Sequence, residues 1–229
     1  RVSGVPGIKR ESIFHALNQK AVARRYAKSI GKKYEELNLI VVHLGGGISV
    51  GAHRKGLVID VNNARNGDGP ISPERAGTVP SEALATLCFS GKYTLNEVKK
   101  MLHGKAGLAA YLGTSDMITI EEKAIEGKEP YKTLVAAMDY TVAKEIGAMF
   151  VALKGQCDAI ILTGGIAYSD YCVADIKEQI EYLCKVVVLP GENEMESLAE
   201  NAFGALTGEL PVLTYTGVSC AEEIPGMAE

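Results

Sequence analysis

Residues 39–51 read Leu39-Ile-Val-Val-His-Leu-Gly-Gly-Gly-Ile-Ser-Val-Gly51, an apolar run that enters three consecutive glycines and continues as an alternating segment. Glycines after a buried strand let backbone N–H groups approach an anion, because no Cβ blocks the loop and positive φ costs little. The pattern predicts a tight hairpin, with Arg54-Lys55-Gly56 as the next turn and Leu57-Val-Ile-Asp-Val61 as the returning strand. The same residues are also consistent with a hairpin turn that binds no ligand.

A second glycine-rich turn lies far downstream, in Asp158-Ala-Ile-Ile-Leu-Thr-Gly-Gly-Ile-Ala-Tyr168. A short β-branched strand ends there in Gly164 and Gly165, and a helical pattern follows from Tyr168 to Cys184. Exposed N–H groups at such a strand-to-helix junction favour an anion or a nucleotide. The two glycine turns are therefore expected to face one cleft.

Hydrophobic spacing predicts the remaining elements of an α/β chain. A first helix is expected from an N-cap at Ser12 to near Gly31. Its apolar face is predicted from Phe14, Leu17, Ala21 and Ala27. Further helices are predicted at 81–89, 95–102, 118–125, 130–154, 168–184 and 195–207, and strands at 158–162 and 186–189. The alternation of strands and helices after residue 158 is typical of a parallel α/β layer.

The polar stretch 62–80 is rich in Gly, Pro, Asn and Asp and is too long for a simple connection. Long irregular segments of this kind often carry function, because loops position reactive side chains on a rigid scaffold. We therefore treat it as a candidate functional loop.

The composition is that of an ordinary cytoplasmic globular protein. The chain has 229 residues, 47% of them hydrophobic, and a formal net charge of −4. This charge gives no reason to expect nucleic acid as a partner, and no apolar run approaches the length that crosses a membrane. The five cysteines lack C-x-x-C spacing and are expected to be reduced, mostly buried thiols.

Five segments together resemble the acetokinase family, a member of the acetate and sugar kinase, heat-shock-protein and actin superfamily, and within it the butyrate kinases. They are Ile13-Phe-His-Ala-Leu-Asn-Gln-Lys-Ala-Val-Ala-Arg24, His43-Leu-Gly-Gly-Gly47, Asn66-Gly-Asp-Gly-Pro-Ile-Ser-Pro-Glu-Arg-Ala-Gly77, Leu162-Thr-Gly-Gly-Ile166 and Glu200-Asn-Ala-Phe-Gly-Ala-Leu206. The resemblance implies an actin-like, ribonuclease H-like ATPase lobe, with a mixed sheet flanked by helices and a helical insertion.

The resemblance also implies a division of the chain. The family's first lobe opens with an Asn-Pro-Gly-Ser-like phosphate loop that has no counterpart here, and the sequence starts at Arg1 rather than Met. We expect roughly the C-terminal two-thirds of a longer enzyme. The predicted parts are a first-lobe remnant at 1–35, the ATPase lobe at 36–210 with a helical insertion at about 80–154, and a tail at 211–229.

The implied activity is the reversible, Mg²⁺-dependent phosphorylation of butyrate by ATP, which yields butanoyl phosphate and ADP. The implied partners are a small carboxylate and ATP, in a homo-oligomer, with no nucleic acid and no membrane. Two alternatives stay open. One is a kinase for a branched or another short-chain carboxylate, and the other is a nucleotide-binding fragment without catalysis.

The resemblance assigns catalytic roles to Arg75, His43 and His15. Arg75 is expected to contact the transferring phosphoryl group, and His43 to donate to it. His15 stands where acetate kinases have an Asp, so it is expected to face the carboxylate substrate instead. From spacing alone, Arg75 is equally a surface charge and His43 a satisfied histidine at a strand end.

The nucleotide and metal assignments fall on the glycine turns and on one acidic residue. Glu194 matches a glutamate that positions Mg²⁺ in acetate kinases, although an acidic residue that starts a helix also complements its dipole. The residues expected to bind the cofactor are Gly45, Gly46, Gly47, Gly164, Gly165 and Ile166.

Overall fold

The structure is a computed structural model that describes residues 2–192, 194–212 and 214, with the side chain of Glu194 not described. Internal contacts gather residues 12–192 into one compact unit, and the described residues on either side of it into a second. The first unit contains Ala16–Ser29 (α1), Asn38–Leu44 (β1), Ile48–Arg54 (β2), Leu57–Val61 (β3), Ser81–Cys88 (α2), Leu95–Leu102 (α3), Gly107–Leu112 (α4), Met117–Ile125 (α5), Tyr131–Ala152 (α6), Ala159–Thr163 (β4), Asp170–Ile180 (α7) and Val186–Val188 (β5). The second unit contains Glu194–Thr207 (α8).

The sheet is mixed and has the order β3-β2-β1-β4-β5. β1 pairs antiparallel with β2 and parallel with β4, so it occupies the centre. The predicted hairpin is confirmed, and its turn at Lys55 and Gly56 has φ of 49° and 85°. Two consecutive left-handed residues are typical of the type I′ turn, whose twist suits a two-residue hairpin.

The core lies on both faces of β1, which is buried along its whole length. Ile40, Val42 and Leu44 belong to the hydrophobic cluster that includes residues of α6 and α7, whereas Leu39 and Val41 belong to the cluster that includes α1. Side chains alternate along a strand, so His43 shares the face of Leu39 and Val41. This alternation directs the His43 ring toward α1.

The predicted start of α1 is wrong and its end near Gly31 is confirmed, while Ala27 alone of its four predicted face residues is fully buried. The helix begins at Ala16, after an N-cap at His15 rather than Ser12. Leu17 is 45% exposed. The buried face consists of Asn18, Gln19, Val22, Ala23, Tyr26 and Ala27. A search for apolar spacing missed this face because its first turn is polar.

The segment from Ser81 to Ala152 is helical, and four of its five helices agree with the sequence prediction. The short helix α4 was not predicted, and α7 ends at Ile180 rather than at Cys184. In the described part of the chain, no helix is long and apolar enough to cross a bilayer.

The cysteines in the described ranges are free thiols, but only Cys172 is fully buried. Cys88 is exposed, and the half-buried pair Cys157 and Cys184 places its sulfur atoms 3.0 Å apart. The expectation of mostly buried thiols is therefore wrong for this part of the chain. Cys220 and most of the predicted 211–229 tail lie outside the described residues.

Asp139 on α6 carries a carboxyl group in the core that is 0% exposed, with the Cys172 side chain within hydrogen-bond reach of it. Burial, with a smaller contribution from the nearby Asp175 carboxylate, raises the pKa of Asp139 to about 8. The unfolded chain releases this proton near its ordinary pKa, whereas the folded protein keeps it, so stability falls as pH rises through that interval.

Asp139→Asn is expected to remove this pH dependence. At about pH 8 the variant should be more stable than the wild type by about 2 kcal/mol, and the gain should shrink toward about pH 5. Urea unfolding at several pH values measures the difference, with the exposed Asp170→Asn as the matched control. An Asp139→Asn protein whose stability tracks the wild type at every pH would contradict a buried, protonated carboxyl group.

Candidate active site

The two glycine turns lie side by side at one edge of the sheet. β1 and β4 are parallel neighbours, with His43 opposite Thr163, so both strands end at this edge. Gly164 has φ of +91°, and a Cβ there would come within 2.7 Å of the Leu44 backbone nitrogen. The backbones of the two turns therefore touch, and a cleft shared by the two turns remains a prediction.

Glycine is required at residues 45–47 because neighbouring groups leave little room for a Cβ, and not because the backbone adopts positive φ. Gly45, Gly46 and Gly47 have no positive φ, so the conformational reason given above is wrong. A Cβ on Gly45 would stand 3.1 Å from His43 Nε2, and one on Gly47 would stand 3.3 Å from the Ala64 carbonyl oxygen. The close approach of neighbouring groups explains why side chains are absent here.

The candidate functional loop folds over this triplet. The Gly46 carbonyl accepts hydrogen bonds from Ser72 Oγ at 2.7 Å and from the Glu74 N–H at 3.1 Å. Gly107, with φ of +62°, packs directly against the backbone of this loop, since a Cβ there would lie 2.8 Å from the Arg75 backbone nitrogen. These contacts place the Arg75 side chain 3.9 Å from the Cβ position of Gly47.

The Arg75 guanidinium is partly engaged and retains a buried donor without a partner. Its Nη1 donates to the Glu74 carbonyl at 3.1 Å, and lies 3.5 Å from the Glu74 carboxylate. That carboxylate in turn accepts from Ser115 Oγ at 3.3 Å. Arg75 Nε is buried with no hydrogen-bond partner. A buried N–H with nothing to donate to is costly, which indicates a missing acceptor such as an anion.

His43 and His15 form a stacked pair beside the triplet. Their ring centroids are 3.7 Å apart with an interplanar angle of 13°. His15 Nδ1 lies 2.9 Å from Ser49 Oγ, and His43 Nδ1 lies 3.0 Å from Asn18 Oδ1. Burial, with a smaller contribution from the neighbouring His15, lowers the pKa of His43 to about 3. His43 is therefore neutral at physiological pH.

A buried chain of polar groups continues from Ser49 to the other side of the hairpin. Gln19 Nε2 donates to Ser49 Oγ at 2.9 Å, and Gln19 Oε1 lies 3.0 Å from His53 Nε2. His53 Nδ1 lies 2.7 Å from the Tyr34 hydroxyl. Burial lowers the pKa of His53 to about 4, so this ring is neutral too. Apolar spacing does not reveal these supporting residues. The signal in the sequence was the pair of polar residues Asn18 and Gln19 in α1.

The second glycine turn offers open space at one residue. Gly165 is exposed, with φ of −67° and ψ of −38°, and no atom lies within 4 Å of a Cβ built on it. Ile166 is buried in the core cluster. The N-cap Ser169 follows and accepts from the Cys172 N–H at 3.0 Å, which opens α7.

The metal assignment falls outside what the structure describes, because nothing is described of the Glu194 side chain. Among the described residues, no group of three His, Cys, Asp or Glu side chains is arranged to hold a metal ion. The Glu192 carboxylate Oε1 lies 3.8 Å from His43 Nε2.

A central strand that ends in glycines has a parallel partner that does the same, and the loop with Arg75 folds over the first of these turns, as expected for an acetate kinase-like ATPase lobe. Residues 5–204 match the model of the Acetokinase family, and the chain belongs to that family. The resemblance seen in the sequence is therefore confirmed.

Two curated relatives carry the name probable butyrate kinase. The one from Phocaeicola vulgatus is 70% identical and the one from Bacteroides thetaiotaomicron 54% identical, each over 215 residues. These residues are 94% of this chain and 61% of each relative, so the chain spans about 61% of their length.

Solved structures confirm the fold. Acetate kinase from Porphyromonas gingivalis aligns with a TM-score of 0.78 at 21% identity, over 88% of this chain and 59% of that one. A propionate kinase from Francisella tularensis aligns with a TM-score of 0.75 at 21% identity, over 85% and 58%.

Proposed function

We propose that the complete protein transfers the γ-phosphoryl group of ATP to a short-chain carboxylate and so forms an acyl phosphate. The observation that carries this proposal is the buried, unpartnered Nε of Arg75 beside the glycine triplet. Two anions must meet in this reaction, and positioned donors that neutralise the equatorial oxygens stabilise its transition state. Arg75 and the backbone of Gly45–Gly47 are the donors that this chain would supply.

We infer that butyrate is the acceptor, because both named relatives are probable butyrate kinases and one is 70% identical. Propionate lacks one methylene of butyrate, a difference that changes binding by only about 1–3 kcal/mol, and isobutyrate is a branched isomer of the same size. Comparing kcat/KM for acetate, propionate, butyrate and isobutyrate in the complete protein tests this inference. A maximum at another acid would replace butyrate but keep the reaction class.

We also propose that Mg²⁺ accompanies ATP, with Glu194 as its protein ligand. The ion would screen the charge of the phosphates, and it favours oxygen ligands such as this carboxylate.

Three further expectations remain predictions for the complete protein. They are the division into parts at 1–35, 36–210 and 211–229, self-association and a cytoplasmic location. Light scattering of the purified protein measures the self-association.

The reaction is tested by trapping the acyl phosphate with hydroxylamine. The complete protein with Mg-ATP and butyrate should yield butyryl hydroxamate, and omission of ATP is the control. The second candidate function is nucleotide binding without catalysis. The same hydroxamate assay on residues 1–229 alone tests whether this part of the protein catalyses the reaction. ADP binding without hydroxamate in the complete protein would favour that module over the kinase.

The open space at Gly165 gives a specific expectation for the nucleotide. If the adenosine lies over this turn, the methyl group of Gly165→Ala would occupy its place while the backbone stays unstrained. ATP affinity is expected to fall about tenfold, the size of a small steric conflict of about 1.4 kcal/mol. Calorimetric titration measures this, and unchanged affinity would remove Gly165 from the nucleotide site.

A further inference from the structure

The side-chain amide of Asn18 has only one possible orientation. Asn18 is 1% exposed and lies between the Glu192 backbone carbonyl and the His43 ring. A carbonyl oxygen can only accept, so the Asn18 Nδ2 must face Glu192, where the distance is 2.6 Å. Oδ1 then faces His43 Nδ1 at 3.0 Å.

This orientation decides which His43 nitrogen carries the proton. Asn18 Oδ1 can only accept, so His43 Nδ1 must be the donor. The ring is 2% exposed and neutral, which leaves Nε2 without a hydrogen. Nε2 is the nitrogen next to the triplet, 3.1 Å from the Cβ position of Gly45. Among the described residues, the titratable groups that face this ring are the stacked His15 and the Glu192 carboxylate.

We propose that Asn18 is a positioning residue that holds His43 in the Nδ1–H tautomer, so that Nε2 presents a lone pair to the ligand. His43 then accepts a hydrogen bond, for example from the P–OH group of a protonated phosphate, and no proton needs to transfer. This differs from the sequence-based expectation that His43 donates. The choice of a phosphoryl ligand rests on the proposed function, whereas the tautomer does not.

The tautomer can be read directly from the nitrogen chemical shifts of the ring. In ligand-free protein near neutral pH, long-range ¹H–¹⁵N correlation should show a protonated Nδ1 and an unprotonated Nε2 for His43. The His43→Gln variant assigns the signals by their loss. A protonated Nε2, either as the other tautomer or as imidazolium, would overturn the proposal.

Two adjacent buried amides on α1 provide a matched pair of variants. Asn18→Leu removes the acceptor for Nδ1–H, and the two tautomers of His43 should then mix. Gln19→Leu removes the partner of His53 and leaves the Asn18 contact, so His43 should keep its tautomer. A His43 tautomer that does not change in Asn18→Leu would show that Asn18 does not position it. If neither variant folds, the wild-type spectrum still decides the tautomer.

Inorganic phosphate separates this proposal from the proposed function. Titration into the complete protein should shift the Nε2 signal of His43 with no change at Nδ1. The expected tautomer without any response to phosphate would count against the phosphoryl site and leave the role of Asn18 intact. The opposite tautomer with a phosphate response would support the site and overturn the role of Asn18.

Discussion

Arg75→Ala in the complete protein is expected to lower kcat for acyl phosphate formation by about 10²–10³-fold, the usual effect of losing one transition-state donor. The side chain is 26% exposed and its one strong hydrogen bond is to the Glu74 carbonyl. Its buried Nε makes no hydrogen bond to another group of the protein, so the removal of Arg75 should change the free energy of unfolding little. Hydroxamate kinetics and urea unfolding of the same preparation measure both quantities.

Arg54→Ala is the matched control, because Arg54 is an exposed arginine at the end of β2 in the same hairpin. Its kcat should equal that of the wild type. Arg75→Lys should recover part of the activity, since the charge returns without the planar fork of donors. An Arg75→Ala enzyme within threefold of wild-type kcat would exclude Arg75 from the chemistry.

The second large effect is expected from Gly164→Ala, which should destabilise the protein by about 3–5 kcal/mol. The added Cβ would collide with the Leu44 backbone, and φ of +91° is strained for any residue with a side chain. The Gly164 backbone cannot move away from Leu44 easily, because Gly164 and Gly191 exchange two backbone hydrogen bonds at 3.2 and 3.0 Å. Urea unfolding measures the loss.

Gly165→Ala, one residue along, separates this strain from any general intolerance of the turn. It has helical dihedral angles and free space, so alanine should be neutral or stabilise by about 0.5 kcal/mol. Equal destabilisation by both substitutions would contradict the packing of Gly164 on Leu44.

Local patterns were sufficient for most of the fold. The hairpin β1–β2–β3 followed from alternation and from the Lys55-Gly56 turn, because strand period and turn chemistry agree there. The α1 prediction failed at the polar pair Asn18 and Gln19, which are buried because partners distant in the chain satisfy their amides. Apolar spacing cannot find a face whose burial depends on tertiary hydrogen bonds.

Some residues of the candidate site could likewise be predicted from local sequence patterns, and others could not. Arg75 and His43 could be found because each lies in a short contiguous motif with glycines. Asn18 and Glu192 could not be paired, since 174 residues separate them in the chain. The geometry of Gly45–Gly47 was also beyond the sequence, because its requirement for space comes from side chains that fold onto it.

The sheet order has a consequence for amide hydrogen exchange. β1 is bonded on both sides, so its amides, with those of β4, are expected to exchange only when the unit opens as a whole. Loop 62–80 belongs to no strand or helix and should exchange through smaller, more frequent openings. A ligand held between Arg75 and the glycine triplet would therefore slow exchange in the loop, while the strands that anchor the other half of the site would show almost no change.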